Sequence, residues 1–254
     1  MKKIQKQMRM ILNSLIEAKK ENKKLLSVLI DPDKINHESQ LDRLIESGKG
    51  LDYFMVGGSL LVSDHLNEII QIIKQKTDIP VILFPGSNLH INHDADAILF
   101  LSLISGRNPE LLIGQHVAAA PILKKSKLEI LSTGYILIGE AAKTTVAYMS
   151  QTMPIPRSKP DIAVCTAMAG EMLGMKLIYM DAGSGAELVV PATMISEVRK
   201  SIDVPLIVGG GVRSQEKVED AFRAGADMLV LGTAIEENID FLQSALEIRN
   251  NGSL

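Results

Sequence analysis

Two carboxylates close an apolar run near the start of the chain, where VLIDPDK (residues 28–34) passes from buried-type aliphatics straight to Asp31 and Asp33, split by Pro32. An unpaired charge at the end of a buried strand carries a heavy desolvation cost, so these side chains need a partner. A hard oxygen at Asp31, with the Ser59 hydroxyl of VGGSLLVSD (56–64) after a second strand, is the ligand type Mg2+ takes when water and phosphate complete its shell. Read by spacing alone, Asp33 is a cap or supporting group, Lys34 a solvated cation, and Gly57 and Gly58 turn residues.

A second constellation lies in LIVGGGVRSQEKVEDAFRAGADMLVLGTAI (206–235), where one apolar run ends in Gly209, Gly210 and Gly211 and the next in Gly232 and Thr233. Glycines let backbone N–H groups approach an anion closely, and adjoining helix N-termini add partial positive charge. YMDAGSGA (179–186) follows another strand and offers Gly183, Ser184 and Gly185 as further donors. Asp181 in that stretch only accepts when ionised, so it suits a substrate hydroxyl better than a phosphate; its structural alternative is a loop hydrogen bond. Other candidates carry less. His90 and His93 in HINH have no third ligand in view and read as surface or polar-lining groups. His116 could stand at a strand mouth, Lys143 could aid an anion, and the lone Cys165 reads as a packed small hydrophobe on a helix.

Positioning these residues falls to a repeated β–α unit. Apolar, β-branched runs recur at 25–30, 53–56, 81–84, 97–101, 135–138, 177–180, 206–208 and 228–231. Each is near-continuous rather than alternating, as expected of parallel strands covered by helices, and eight of them imply a closed (βα)8 barrel. Helices are expected over 36–47 capped by Asn36, 63–76 capped by Ser63, 214–224 capped by Ser214, and from Pro191 to about Ser201. Pro80 and Pro205 stand at strand starts, so TDIPVILFPGS (77–87) and SIDVPLIVGGGV (201–212) echo one module. Between strands three and four only PGSNLHINHDAD (85–96) is available, too short and broken for a covering helix. The third helix is therefore expected to be missing, leaving an apolar flank open to a long greasy ligand or another subunit. Residues 150–160 read as an irregular loop, and the final RNNGSL as frayed.

Composition narrows the classes. The chain has 254 residues, 46% hydrophobic and only 4% aromatic, so it can bury one large aliphatic core in a single domain. Net charge is -3 with both signs dispersed, which argues against a nucleic-acid partner. A single cysteine excludes an internal disulfide. The basic start (residues 1–24) lacks a secretory pattern and reads as an N-terminal helix packed on one end of the barrel, with peripheral membrane contact as its alternative; a cytoplasmic, soluble protein is expected.

With these residues in hand, the sequence resembles the geranylgeranylglyceryl phosphate synthases and their heptaprenylglyceryl phosphate relatives, most of all the group II enzymes with the AGSGA form of the strand-six motif. LIDPDK, VGGSLLV, ILFPGS, NPELLIGQHV, TGYILIGEAAKTTVAY, YMDAGSGA, VGGGVRS and VLGTAI come in the family's order from about Leu25 to Phe241. The resemblance implies an α/β fold, a modified TIM barrel lacking the helix between strands 3 and 4. It implies a Mg2+-dependent prenyltransferase of ether phospholipid biosynthesis, joining the 3-hydroxyl of sn-glycerol 1-phosphate to geranylgeranyl diphosphate with release of diphosphate. It places glycerol phosphate on Tyr179, Met180, Asp181, Ala182, Gly183, Ser184, Gly185, Ala186, Gly210, Gly211, Gly232 and Thr233, and Mg2+ on Asp31 and Ser59. Asp181 takes the catalytic place of the family's usual Glu, Leu29 stands where some relatives carry a phosphate-binding Lys, and Leu111 and Leu112 where some carry a Trp that stops the prenyl tail. A homo-oligomer, dimer or hexamer, is implied too. The alternatives are the same reaction with a longer donor, another phosphate-binding barrel such as a phosphosugar isomerase or thiamine-phosphate-type synthase, and a non-catalytic carrier.

Overall fold

Near-continuous apolar strands need cover on both faces, and the computed structural model, which describes residues 10–140 and 143–251, provides it. Eight parallel strands close in sequence order: β1 (Leu25–Ile30), β2 (Tyr53–Gly58), β3 (Val81–Pro85), β4 (Ala97–Leu103), β5 (Glu129–Leu137), β6 (Leu177–Asp181), β7 (Leu206–Gly209) and β8 (Met228–Leu231). The ring is completed by β8 pairing β1, from Leu25 with Met228 to Val28 with Leu231. Side chains alternate across the wall. Tyr53, Met55, Ile82, Leu99, Tyr135, Tyr179 and Val230 fill the interior, while Leu26, Val28, Phe54, Val56, Ile178 and Met180 pack outward under the helices.

The floor of the barrel is closed by α1 (Ile11–Lys20), whose Ile11, Leu15 and Ala18 join the interior cluster. Its first turn has no side-chain cap of its own; instead Glu129, at the foot of β5, accepts from the N–H groups of Ile11 (2.5 Å) and Leu12 (2.9 Å). Thus β5 begins six residues before the expected Tyr135, because polar Ser132, Thr133 and Gly134 are held in register by β4. Residues 1–9 of the expected N-terminal helix lie outside the described residues.

A repeated device fixes the strand feet. Asp52, Asp96 and Asp227 each precede an even-numbered strand and accept an N–H from the foot of the strand before it: Leu26 (2.9 Å), Val81 (2.7 Å) and Leu206 (2.8 Å). Each carboxylate is also neutralised, by Arg249 (2.8 Å), Lys74 (2.7 Å) and Arg199 (2.8 Å) respectively. The two sequence echoes, 77–87 and 201–212, fall on two of these feet.

Covering helices are α2 (Glu38–Ser47), α3 (Leu66–Lys76), α4 (Gln115–Leu123), α5 (Thr145–Ser150), α6 (Pro160–Met172), α7 (Ala192–Ser201), α8 (Gln215–Arg223), α9 (Thr233–Glu237) and α10 (Asp240–Asn250). Ser214 caps α8 as expected, accepting from the N–H of Lys217. Two expected caps do not form. Asn36 yields to the Gln40 side chain, which accepts from the N–H groups of Asn36 (2.9 Å) and His37 (3.2 Å). Ser63 is drawn away by Asp33, to which its hydroxyl donates at 2.5 Å, so α3 starts at Leu66. Cys165 is exposed rather than packed, since Ala163, Ala167 and Gly170 form the buried face of α6. The C-terminal Arg249 is not frayed: its side chain is mostly buried against Asp52.

From β3 to β4 there is only a 3-10 turn, Asn88–His90, so the third covering helix is absent. The sheet there is flanked instead by a π-helical turn, Glu110–Gly114, running into α4. An open groove remains between this segment and the β3–β4 connection.

Candidate active site

All strand C-termini meet at one rim, and two chambers open there. The first is built by the loops after β6, β7 and β8. Gly183, Ser184, Gly185, Gly210, Gly211, Gly232 and Thr233 line it together with Tyr179 and Asp181. Ser184 Oγ and Thr233 Oγ1 lie 3.5 Å apart across it. Gly210 shows why glycine is needed: it sits at φ +84°, and a Cβ there would lie 2.6 Å from Asp181 Oδ1 and 2.7 Å from the Gly183 nitrogen. Backbone N–H groups, two hydroxyls and the N-terminus of α9 make this chamber an anion cradle. Of the residues placed here by sequence, Met180 faces the outer layer, and Ala182 and Ala186 pack with that layer rather than lining the chamber.

Asp181 forms the inner wall. It is buried, its Oδ2 accepts from Tyr135 Oη at 2.5 Å, and its Oδ1 accepts from the Gly183 N–H at 2.8 Å. Burial pushes the Asp181 carboxyl above the ordinary range, against the opposing pull of these two hydrogen bonds. The phenols of Tyr135 and Tyr179 are raised well above theirs, by burial first and by the nearby carboxylate second. Phe84, Tyr135 and Tyr179 pack edge to face, with centroids 5.5–6.0 Å apart, and fix the ring positions.

The second chamber is the groove left by the absent helix, a cavity of about 180 Å³ with an aliphatic wall from Ile98, Leu99, Leu101, Leu103, Leu111, Ala119 and Leu123. Ser59, Phe84 and Tyr135 also line it. Leu111 lines it, and Leu112 does not. His116 belongs to this wall: it is buried, its Nε2 is 3.1 Å from Ser102 Oγ, and it stands edge-on to Phe100. Burial holds its imidazole below the usual range, as it does for His90. His90 is buried rather than on the surface, its Nδ1 accepting from the Gly86 N–H at 3.0 Å, whereas His93 and Lys143 are exposed.

Asp31 follows the end of β1, on the β8 side of the rim beside the cradle rather than opposite it, since β1 pairs β8 and Gly232 shares a cavity with Asp31. Its Oδ1 accepts from the Asp33 N–H at 3.1 Å; Lys34 Nζ is 3.8 Å from Oδ2. Burial pushes this carboxyl up, and neither the Asp33 N–H nor Lys34 fully compensates. Gly58 lies against it, the site of a missing Cβ being 3.9 Å from its oxygens, while the following Ser59 lines the apolar groove. Asp33 is a clamp: it holds the loop after β2 through the N–H groups of Val62 (2.8 Å) and Ser63 (2.9 Å) and the Ser63 hydroxyl. Burial raises its carboxyl, but these bonds outweigh that and leave it below the ordinary range. An under-compensated carboxylate at a strand end, with only a 3.8 Å ammonium on its second oxygen, fits a hard divalent cation. Among the described residues no three His, Cys, Asp or Glu side chains converge, so such a cation would take its other ligands from water and a phosphate.

Sequence reasoning missed three residues. Tyr135 and Phe84 were read only as strand residues, although Tyr135 lies in register with Tyr179. Arg213 lines the cradle and is paired with Glu237; its signal was the basic residue directly after the glycine run.

A family model described as the PcrB family matches residues 17–249. The chain is similar to geranylgeranylglyceryl phosphate synthase of Chitinophaga pinensis, 53% identical over 92% of this chain and 93% of the relative. It is similar to that of Spirosoma linguale, 53% identical over 90% and 92%. Among solved structures it is similar to (S)-3-O-geranylgeranylglyceryl phosphate synthase from Thermoplasma acidophilum in complex with sn-glycerol-1-phosphate. That match has a TM-score of 0.89 and 34% identity, and covers 96% of this chain and 100% of the other.

Proposed function

This chain belongs to the PcrB family, and from that premise we propose that it transfers a geranylgeranyl group from its diphosphate to the 3-hydroxyl of sn-glycerol 1-phosphate. One observation carries the reading. Tyr135, which lines the apolar groove, donates through its hydroxyl to Asp181, a lining residue of the anion cradle. A greasy chain in one chamber and a glycerol phosphate in the other would therefore meet at a single carboxylate.

The cradle binds the phosphate through backbone N–H groups with Ser184 and Thr233, which leaves the glycerol end facing Asp181. Each Asp181 oxygen already accepts one protein hydrogen bond, and each keeps a lone pair for the substrate. Because burial has raised its affinity for a proton, the carboxylate is a better base than a solvated one. The glycerol oxygen forms the new C–O bond to the allylic carbon, its proton passes to Asp181, and the allylic C–O bond breaks with its electron pair leaving on the diphosphate. Mg2+ on Asp31 and Ser59, when bound, supplies charge neutralisation for that leaving group.

The groove contributes affinity: at about 0.8 kcal/mol per buried methylene, a twenty-carbon chain offers on the order of ten kcal/mol before the costs of binding. No helix among the described residues is long and apolar enough to cross a membrane. Exposed Val62 and Leu89, on loops beside the groove, support peripheral contact with a lipid surface at the rim. Exposed Tyr148, Met172 and Leu173 on the outer helices support self-association.

The test is turnover. Purified protein with Mg2+, labelled sn-glycerol 1-phosphate and geranylgeranyl diphosphate is expected to yield the prenyl ether and diphosphate. Equal use of sn-glycerol 3-phosphate, or no ether from any donor of fifteen to thirty-five carbons, would refute the proposal.

A further inference from the structure

Lys34 closes the 3-10 turn that follows β1, and its ammonium stands between two acids. It is 2.7 Å from Glu236 on α9 and 3.8 Å from Asp31 Oδ2. The other Asp31 oxygen is already engaged by the Asp33 N–H. The oxygen facing Lys34 accepts no hydrogen bond and has only that ammonium, at 3.8 Å, competing with a cation for it. Packing does not fix the ammonium: Lys34 lines a cavity of about 260 Å³ between β1, α2 and α9, which Asp31, Arg43 and Glu236 share. Its side chain is 41% exposed. An unrestrained lysine would have room to close onto Asp31 and occupy the oxygen a divalent ion needs.

We infer that Glu236 is a positioning residue for the cation site: by pairing with Lys34 it holds that ammonium away from Asp31 and keeps the carboxylate open to the metal. This rests on the assignment of Asp31 as a cation ligand made above. Glu236 itself is not a ligand in this scheme. It acts only through Lys34, which sets its pattern apart from that of a third acid in the site.

The experiment titrates Mn2+ alone into the full-length protein and follows free Mn2+ by electron paramagnetic resonance, with no substrate present. Glu236→Gln is expected to weaken Mn2+ binding about tenfold, the effect of letting a unit charge move from 3.8 Å to contact at a surface-like effective dielectric. Lys34→Met is expected to tighten binding severalfold, and the Lys34→Met/Glu236→Gln double variant to match Lys34→Met. Equal weakening by Glu236→Gln in both backgrounds would overturn the inference and make Glu236 a direct ligand. Unchanged binding in Lys34→Met would overturn it as well. Asp31→Asn is the control for the underlying assignment: it is expected to lose the site. Wild-type Mn2+ affinity in that variant would refute Asp31 as ligand, a failure separate from any result at Glu236.

Discussion

Removing one oxygen atom, by Tyr135→Phe, isolates the link between the two chambers. The ring stays, so its edge contacts with Phe84 (6.0 Å) and Tyr179 (5.5 Å) persist, and only the 2.5 Å bond to Asp181 is lost. A hydrogen bond to a charged partner contributes about 1.5–3 kcal/mol, which is roughly 10- to 100-fold in rate if the bond holds the base in place at the transition state. The loss should fall on kcat. The glycerol phosphate KM should change little, because the cradle is built from Ser184, Thr233 and glycine backbone that Tyr135 does not touch. A second readout separates a base from a bystander. Burial raises the Asp181 carboxyl and the Tyr135 bond lowers it, so deleting the bond leaves burial less opposed and the carboxyl rises further. Asp181 must be ionised to accept a proton, so the acid limb of the kcat–pH profile should move to higher pH. Steady-state ether formation across the acid range, at saturating levels of both substrates, measures both effects. An unmoved limb, a limb moved to lower pH, or a defect confined to KM would refute the assignment of Asp181 as base.

Gly210→Ala places a methyl 2.6 Å from Asp181 Oδ1 at a φ of +84°, so the cradle must shift; a displacement near 1 Å commonly costs about a hundredfold. Calorimetry should show lost sn-glycerol 1-phosphate affinity, and unchanged affinity would argue against this chamber as its site. Ala119 lines the groove and is buried, so Ala119→Phe should obstruct the chain and turn donor preference, read as kcat/KM across prenyl lengths, toward shorter diphosphates. An unchanged chain-length profile would move the tail elsewhere. Asp181→Asn should abolish turnover yet raise thermal stability at neutral pH. The native carboxyl is raised above its unfolded value, so its ionised form disfavours the fold above the native pKa; the gain should fade as pH falls through that value and the wild-type group protonates. A variant less stable than wild type at neutral pH would sink that account.

Much of the barrel was legible because its strands are short apolar runs ended by glycine or acid; β1 and β8 fall at the expected residues. The missing third helix was legible for the opposite reason, since 85–96 is too short and too rich in Pro, Gly and Asn to hold one. Errors arose where a neighbour outbid local preference. Ser63 is a good helix cap by type, but Asp33, thirty residues earlier, takes its N–H and hydroxyl. The placement of Cys165 failed because α6 is small-residue-rich on its inner face and apolar outside, so hydrophobicity does not mark the buried side. Gly170 faces inward there, with Ile104 only 2.8 Å from where its Cβ would stand.

The site shows the same division more sharply. The three glycine-bearing loops after β6, β7 and β8 announce themselves through glycine and loop chemistry, which are local properties. The contact between Tyr135 and Asp181 is not local. In the ladder Tyr135 stands opposite Tyr179, and Asp181 opposite Leu137, so their bond runs diagonally across the inner face. It exists because three separate segments agree: the phenol from β5, the Gly183 N–H from the loop after β6, and a glycine after β7 whose missing Cβ leaves room for the carboxylate. Any one of them is visible in the sequence as a residue type. Only barrel closure, which sets the stagger of β5 against β6, turns them into a buried carboxylate between the glycine-lined chamber and the apolar groove. In the proposed reaction, the chemistry is therefore carried less by Asp181 as an acid than by where the register puts it. On that argument Asp181→Glu, which keeps the charge and moves it by one methylene, tests the geometry more severely than any neutral substitution.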